Sequence, residues 1–366
     1  MPDKYIPLPE FPVLSDLWDS LKNEKRPIIV YGMGNGADKL FDRLAALDIT
    51  PSDIFASDGF VRGHSFRGMR VKSFSEIKAE YSDFVILLSF ASRLPEVIDM
   101  MTEMDREYTL YIPDMPIADV GEYFDKDFYN SNYNEIIKAY NRLADLRSKN
   151  TFASIINYKL TGRLSYLECC YSTKEQLYSE MPKDSIRTFV DVGAYTGDTI
   201  REAKEYFPSL NSAVALEPDK KTFMRLMKYV MDEDDLNIAA YNVGAYSESR
   251  EGVIFASGNR NTTVSATASY KSKNDAVDLI RLDELDLMPD YIKYDVEGAE
   301  LEALIGSKDT IIRHAPTLLV SLYHRSRDIF SLVNYLADNY PNYNYYLHRL
   351  RCLPAWEIDL VLVPNK

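Results

Sequence analysis

Two segments of this chain, IIVYGMGNGADKL at 28–40 and TFVDVGAYTGDT at 188–199, each set a short apolar run directly against a glycine-rich turn and a helix start. A buried strand, a tight turn and a free helix N-terminus in that order form the opening unit of a parallel βα fold. Its occurrence twice, about 160 residues apart, predicts two such folds in one chain. At 366 residues, with 46% hydrophobic and 27% charged side chains, the chain is too long for a single core to serve easily. The apolar runs that follow are strand-sized, well short of the ~18 residues of a membrane helix.

Apolar runs at 28–31, 53–56 and 84–88 alternate with helical patterns as far as residue 112, and from about 134 to 178 the apolar spacing is helical throughout. Runs at 188–192, 213–216, 238–243, 291–295 and 318–322 restart the βα pattern. The two final runs, 343–350 and 356–363, flank a short Pro-containing loop as hairpin strands do. The expected class is therefore α/β, with two Rossmann-like domains joined by a helical connector. The C-terminal one is a doubly wound sheet of seven strands closed by an antiparallel pair. The boundaries are 1–115, 116–182 and 183–366.

A net charge of −14 supplies no field to attract a polyanion, which argues against nucleic acid as partner. The start MPDKYIPLPEFP lacks the basic end and apolar core of a signal peptide, so a cytoplasmic location is expected, with no membrane partner. Cys169 and Cys170 are adjacent and Cys352 is remote, which is neither a disulfide framework nor a zinc spacing. They read as reduced, structural thiols.

In the second turn, Gly193 and Gly197 let the backbone turn tightly while the amides around Asp198 and Thr199 face a ligand. Twenty positions after Gly197, in AVALEPD, stands Glu217, followed by Pro218 and Asp219. A carboxylate there accepts the hydroxyl protons of a ribose. Asp191, at the strand end, repels phosphate and favours an ammonium or sulfonium. The spacing thus fits a nucleoside carrying positive charge better than a dinucleotide pyrophosphate. After the next strand, Asn242, Val243, Gly244 and Ala245 fall where an adenine ring is bordered, with Asn242 its polar partner.

DYIKYDVEGAELEAL puts Lys293, Asp295 and Glu297 on one strand face by the period of two. Such a row emerges at the carboxyl edge, where α/β ligand sites lie. SLYHRSRD follows the next strand with Tyr323, His324, Arg325 and Asp328. His324 is a general-base candidate by position. His64, His314 and His348 have no companions at metal spacing.

These motifs in order, LADLRSKNTFASIINYKLTG, FVDVGAYTGDT, ALEPD, YIKYDVEGAELEALIG and LLVSLYH, resemble the FkbM family of S-adenosylmethionine-dependent methyltransferases over roughly residues 143–363. The resemblance implies a seven-stranded sheet with an antiparallel last strand and O-methylation of a hydroxyl on a sugar, glycan or secondary metabolite. It implies S-adenosylmethionine as cofactor, held by Asp191, Gly193, Ala194, Tyr195, Thr196, Gly197, Asp198, Thr199, Glu217, Pro218 and Asp219. The chain departs from the family at EQLYSE, which leaves the roles of Gln176 and Tyr178 open. Methyl transfer needs alignment and a proton acceptor, so His324 or Asp295 is expected as base, with Lys293 or Glu297 orienting a small-molecule or glycan acceptor. Asp295 also stands at the cofactor's edge. Paired carboxylates holding Mg²⁺ are an option the residues do not demand, so no metal is expected, and a homodimer is possible.

The first turn, with Gly32, Gly34 and Ala37 in G-x-G-x-x-A form and Asp58 downstream, fits a dinucleotide more closely. Its domain is about half the size a complete dinucleotide fold requires. It is similar to N-terminal modules that precede some FkbM-type methyltransferases and sugar-modifying acetyltransferases. Two rival readings stand beside the methyltransferase: an NAD(P)-dependent oxidoreductase built on the first turn, and a non-catalytic cofactor-binding scaffold.

Overall fold

The computed structural model describes residues 5–61, 63, 65–118, 122–254, 257–258, 261–262 and 276–365, so His64 lies outside the described residues. After a short helix α1 (Leu17–Asn23), capped by Asp16, the chain enters β1 (Ile28–Tyr31), α2 (Asn35–Ala46), β2 (Asp53–Ala56), β3 (Lys72–Ser73), α3 (Phe74–Glu80), β4 (Val85–Leu88), α4 (Pro95–Glu107) and β5 (Thr109–Tyr111). The five strands pair in parallel in the order β3-β2-β1-β4-β5. The sequence pattern singled out three of them; β3 and β5 are too short to carry an apolar run. Ile29, Val30, Ile54 and Ile86 are wholly buried, as expected for strands covered on both faces.

Five helices follow: α5 (Lys126–Ser131), α6 (Tyr133–Arg142), α7 (Leu146–Thr161), α8 (Leu164–Cys169) and α9 (Lys174–Tyr178). Helix α7 starts at Asp145, whose carboxylate accepts from the Ser148 amide, and ends at Gly162 in the left-handed region. Eleven of its sixteen residues are buried, including Lys159, whose ammonium sits 2.7 Å from Asp114. A helix buried on most of its circumference is a core element. One continuous apolar core takes in Ile29 and Phe55 of the first sheet, Phe152 and Ile156 of α7, and Val190, Ile292 and Val320 farther along. The stretch between the sheets is thus packed mass rather than a tether.

The third region contains β6 (Thr188–Val192), α10 (Asp198–Tyr206), β7 (Ser212–Leu216), α11 (Lys220–Asp232), β8 (Asn237–Tyr241), β9 (Val243–Ala245), β10 (Arg250–Ile254), β11 (Ala276–Ile280), β12 (Tyr291–Tyr294), α12 (Glu300–Ile305), α13 (Lys308–His314), β13 (Thr317–Ser321), α14 (Asp328–Asn339), β14 (Tyr343–Arg349) and β15 (Ile358–Pro364). Seven strands form one sheet, β8-β7-β6-β12-β13-β15-β14. Only β15 runs against its neighbours, inserted between β13 and β14. The expected run 238–243 is in fact two strands in two sheets, because β9 leaves the main sheet to pair with β11. The break falls at Asn242, whose side-chain amide donates to the carbonyls of Glu217 and Pro218. Strand order reverses between β6 and β12, and a crevice opens there at the carboxyl edge. Among the described residues, no helix is long and apolar enough to cross a membrane.

Candidate active site

A cavity of about 1010 Å³ occupies that crevice. Its first half is built by the second glycine-rich turn. Gly193 has φ +94°, and a Cβ there would lie 1.9 Å from the Asp295 carbonyl, so the turn after β6 packs directly on the end of β12. Gly197 has φ +81° and would drive a Cβ into the Tyr229 ring. These glycines are therefore fixed by both conformation and space.

Glu217 leaves the end of β7 with its carboxylate accepting from the amides of Tyr195, at 3.0 Å, and Asp219, at 2.8 Å. Burial outweighs these donors and pushes Glu217 up to about 7. Asp191 is wholly buried and neither of its carboxylate oxygens has a hydrogen-bond partner. Burial, opposed by the Lys293 charge, pushes it up to about 7 as well. Two carboxylates with unspent acceptor capacity flank one turn, the arrangement that a ribose and a positive charge would satisfy.

Of the residues expected here, Gly193, Tyr195, Asp198, Thr199, Glu217, Pro218, Asp219, Val243 and Gly244 line the cavity, with Ala245 beside them. Asp191, Ala194, Thr196 and Gly197 do not line it. Asn242 does not line the cavity, since its donors are spent on the main chain.

The other half begins at β12. Lys293 Nζ donates to Asp295 Oδ2 at 3.0 Å, and the Tyr323 hydroxyl donates to Asp295 Oδ1 at 3.2 Å. Burial works to raise Asp295, but the charges of Lys293 and His324 win and hold it at about 2. Lys293, buried against Asp295 and Asp191, is held well above the usual lysine range. Glu297 sits in the left-handed region, φ 54°, just beyond the strand, and burial raises its carboxyl.

His324 is buried behind this wall and does not line the cavity. Its Nδ1 is 2.8 Å from Glu300 Oε1, and its Nε2 is 3.5 Å from Asp295 Oδ1 and 3.6 Å from Glu297 Oε2. Burial opposes the charged imidazole, yet three carboxylates, Glu300 foremost, push it up to about 10. An imidazolium has no lone pair with which to take a substrate proton, so the geometry disfavours His324 as base and makes it a fixed cation under Asp295. Asp295, Glu300 and His324 each bring one ligand-type atom within 4.8 Å of the others. Lys293 and Tyr323 already satisfy Asp295 there.

Sequence reasoning missed the far wall. Glu357 and Asp359 at the start of β15, Lys174 and Tyr178 from α9, and Arg93 from beyond β4 all line the same cavity. Arg93 pairs with Glu357 across the two sheets, and a bridge between Ser92 and Leu353 ties the two loops together. Tyr178 stacks on Tyr206 at 4.2 Å. Gln176, by contrast, closes a capping box with Thr173, so of the two residues of EQLYSE one caps a helix and the other lines the cavity. The signal for Glu357 and Asp359 was a two-residue alternation of acids in an otherwise apolar strand, WEIDLVLV.

The first glycine-rich turn contrasts with the second. Cβ atoms at Gly32 and Gly36 would meet the Ser89 hydroxyl at 2.7 Å and the Ser89 carbonyl at 2.1 Å, so these glycines serve strand-to-helix packing. Asp58 is exposed in a single turn after β2. His348, buried with Nδ1 3.0 Å from the Ser172 hydroxyl, is pushed down to about 4 by burial and is a neutral core histidine.

No curated protein sequence matches the chain. Among solved structures, the FkbM methyltransferase from Methylobacillus flagellatus is similar over 96% of this chain and 94% of that one, with TM-score 0.69 and 20% identity. At that identity the likeness establishes the fold, and it extends over the N-terminal sheet as well. An rRNA methylase from Streptococcus thermophilus matches 53% of this chain and 98% of its own, at 10% identity and TM-score 0.36, too distant a likeness to carry an argument. The family model described as the methyltransferase FkbM domain matches residues 191–347, and over that span, from Asp191 through Glu217, Asp295 and His324, the chain is similar to that domain.

Proposed function

We propose that the chain is an S-adenosylmethionine-dependent O-methyltransferase whose acceptor is a polyhydroxylated, sugar-like molecule. The observation that carries this reading is one cavity with Glu217 at one end and Asp295, Glu297, Glu357 and Asp359 at the other. The cofactor half fits the group: Glu217 would offer its carboxylate to ribose hydroxyls, and Asp191, buried with both carboxylate oxygens unpartnered, would favour a positive charge bound nearby.

When bound, S-adenosylmethionine supplies an activated methyl group. The chain's own residues supply alignment and proton management. Asp295, kept ionised by Lys293 and His324, accepts a hydrogen bond from the acceptor hydroxyl and orients it. Glu297, raised by burial and open to the cavity, has the basicity to take that proton. The carboxylates and tyrosines of the far wall form the kind of surface that carries the hydrogen bonds of a polyol. Acidic lining residues outnumber basic ones, which favours a neutral or cationic acceptor over an anionic one.

The test is incubation of the full chain with methyl-labelled S-adenosylmethionine and a panel of neutral, amino and acidic sugars and glycosides, read by mass spectrometry. A mass gain of one methyl on hydroxyl oxygen of a neutral or amino sugar is expected. Methylation confined to nitrogen, to acidic acceptors or to nucleic acid added as control contradicts the reading.

A further inference from the structure

The end of the cavity away from Glu217 holds more carboxylate than its own cations neutralise, and the excess falls on one residue. Three cations reach this end, and each is taken. Lys174 Nζ sits 2.5 Å from Glu202 Oε2, Arg93 pairs with Glu357, and Lys293 Nζ donates to Asp295 Oδ2 at 3.0 Å. Lys221 and Arg225 line the opposite end, on α11 beyond Asp219.

Asp359 is left over. Strand β15 runs against β13, so its start lies at the edge where β12 and β13 end, with Asp359 opposite Ser321. Register carries one sheet face from Asp191 through Lys293 and Leu319 to Val361, and the period of two adds Asp359 to it. Asp359 is only 6% exposed, yet it lines the cavity. Its contact with Ser321 Oγ, 3.4 Å from Oδ1, is longer than the ~3.0 Å at which ordinary O–H···O bonds end. Among the described residues no cation lies within ion-pair distance of it. His348, opposite it on β14, is neutral and spends Nδ1 on the Ser172 hydroxyl at 3.0 Å. Burial, with Glu357 and Asp295 adding to it, pushes the Asp359 carboxyl up against the pull of Lys293. Such a group lacks both a donor and a compensating charge, and a molecule in the cavity is placed to supply them.

Resting on the methyltransferase reading above, we propose that the acceptor is an amino sugar or a similar amine-bearing polyol, and that Asp359 selects it by holding its ammonium group. A hydroxyl would give Asp359 a hydrogen bond and leave its charge uncompensated, whereas an ammonium gives both. Asp295, at the end of β12, and Asp359, on β15, are separated by β13, on the order of 10 Å by strand spacing. The amine and the hydroxyl that is methylated are therefore different groups of one molecule.

The test is calorimetry at pH 7 on the full chain, free and saturated with S-adenosylhomocysteine. The probes are methyl glucosides and galactosides with an amine in place of one ring hydroxyl, each set against its hydroxyl parent and its N-acetyl form. At least one amine is expected to bind tenfold or more tighter than both counterparts. Asp359→Asn, which keeps the shape of a protonated carboxyl, is expected to bring that ratio below threefold. If the variant does not fold, the wild-type ratio alone decides. Equal binding of amine and parent throughout, binding of none of the probes, or a preference that survives in Asp359→Asn overturns the proposal. An amine preference in the free protein without any binding of S-adenosylhomocysteine supports Asp359 as the amine site and contradicts the methyltransferase reading instead.

Discussion

Arg93, in the loop that follows β4, and Glu357, just ahead of β15, are 264 positions apart in sequence and meet in an ion pair on the wall of one cavity. A loop of the N-terminal βα unit therefore contributes a side chain to the same space as Asp295 and Glu217. An isolated pair whose arginine is exposed to solvent does little for stability. Its effect is on where Glu357 points.

Arg93→Ala is accordingly expected to leave the melting temperature and S-adenosylhomocysteine affinity unchanged within error, and to raise the acceptor KM by on the order of tenfold. Steady-state kinetics with the acceptor varied at saturating cofactor measures the split. A drop in kcat alone would place Arg93 elsewhere in the mechanism.

Gly193 and Gly34, one from each glycine-rich turn, predict opposite outcomes for the same substitution. Gly193→Ala meets both a φ of +94° and a carbonyl 1.9 Å from the new Cβ, so loss of cofactor binding and a clear fall in melting temperature are expected. At Gly34 nothing lies within 4 Å of the new Cβ, and the change should cost no more than about 0.5 kcal/mol. Thermal melts of the two variants with and without S-adenosylhomocysteine make the comparison.

Glu217 and Asp191 titrate near 7 in the folded chain, above ordinary carboxylates near 4. Raised carboxyls favour folding fully below the unfolded value and lose that contribution as pH rises toward the folded value. The free protein should therefore lose stability between about pH 4 and pH 7 through these groups. A ligand with a ribose and a sulfonium prefers both ionised, so its affinity should rise from pH 5.5 to pH 8 with proton release. Calorimetry at pH 6.5 in buffers of different ionisation enthalpy reads the proton count; proton uptake would be the wrong sign.

His324 carries the opposite linkage. Its folded value near 10 lies above the ordinary 6.5, so its stabilisation is complete below about 6.5 and fades as pH rises through 10. Removing it strands Glu300, Asp295 and Glu297 against one another, and His324→Gln should cost about 3–5 kcal/mol near neutral pH. Denaturant melts at pH 6 and pH 10.5 test this, with the gap between wild type and variant narrowing at the higher pH.

The sheet carrying the site was legible because Thr188–Val192, Ser212–Leu216 and Thr317–Ser321 are short, mostly apolar runs bounded by turns. Position after a strand also located Glu217 and Asp295 correctly at the crevice. Nothing local reveals that the Asn242 amide folds back onto Glu217 and Pro218. His324 was found by position, but its charge state depends on Glu300 and Glu297, which only the turn after β12 brings to it. Arg93 and Glu357 come together through the packing of two sheets, which no local pattern encodes.

The central claim is that the second turn, and not the first, holds a nucleoside cofactor. Calorimetric titration of the full chain with S-adenosylhomocysteine and separately with NAD⁺, repeated on Glu217→Ala and Asp58→Ala, addresses it directly. The account predicts micromolar binding of S-adenosylhomocysteine, lost in Glu217→Ala and retained in Asp58→Ala. Binding of NAD⁺ alone, lost in Asp58→Ala, would contradict it.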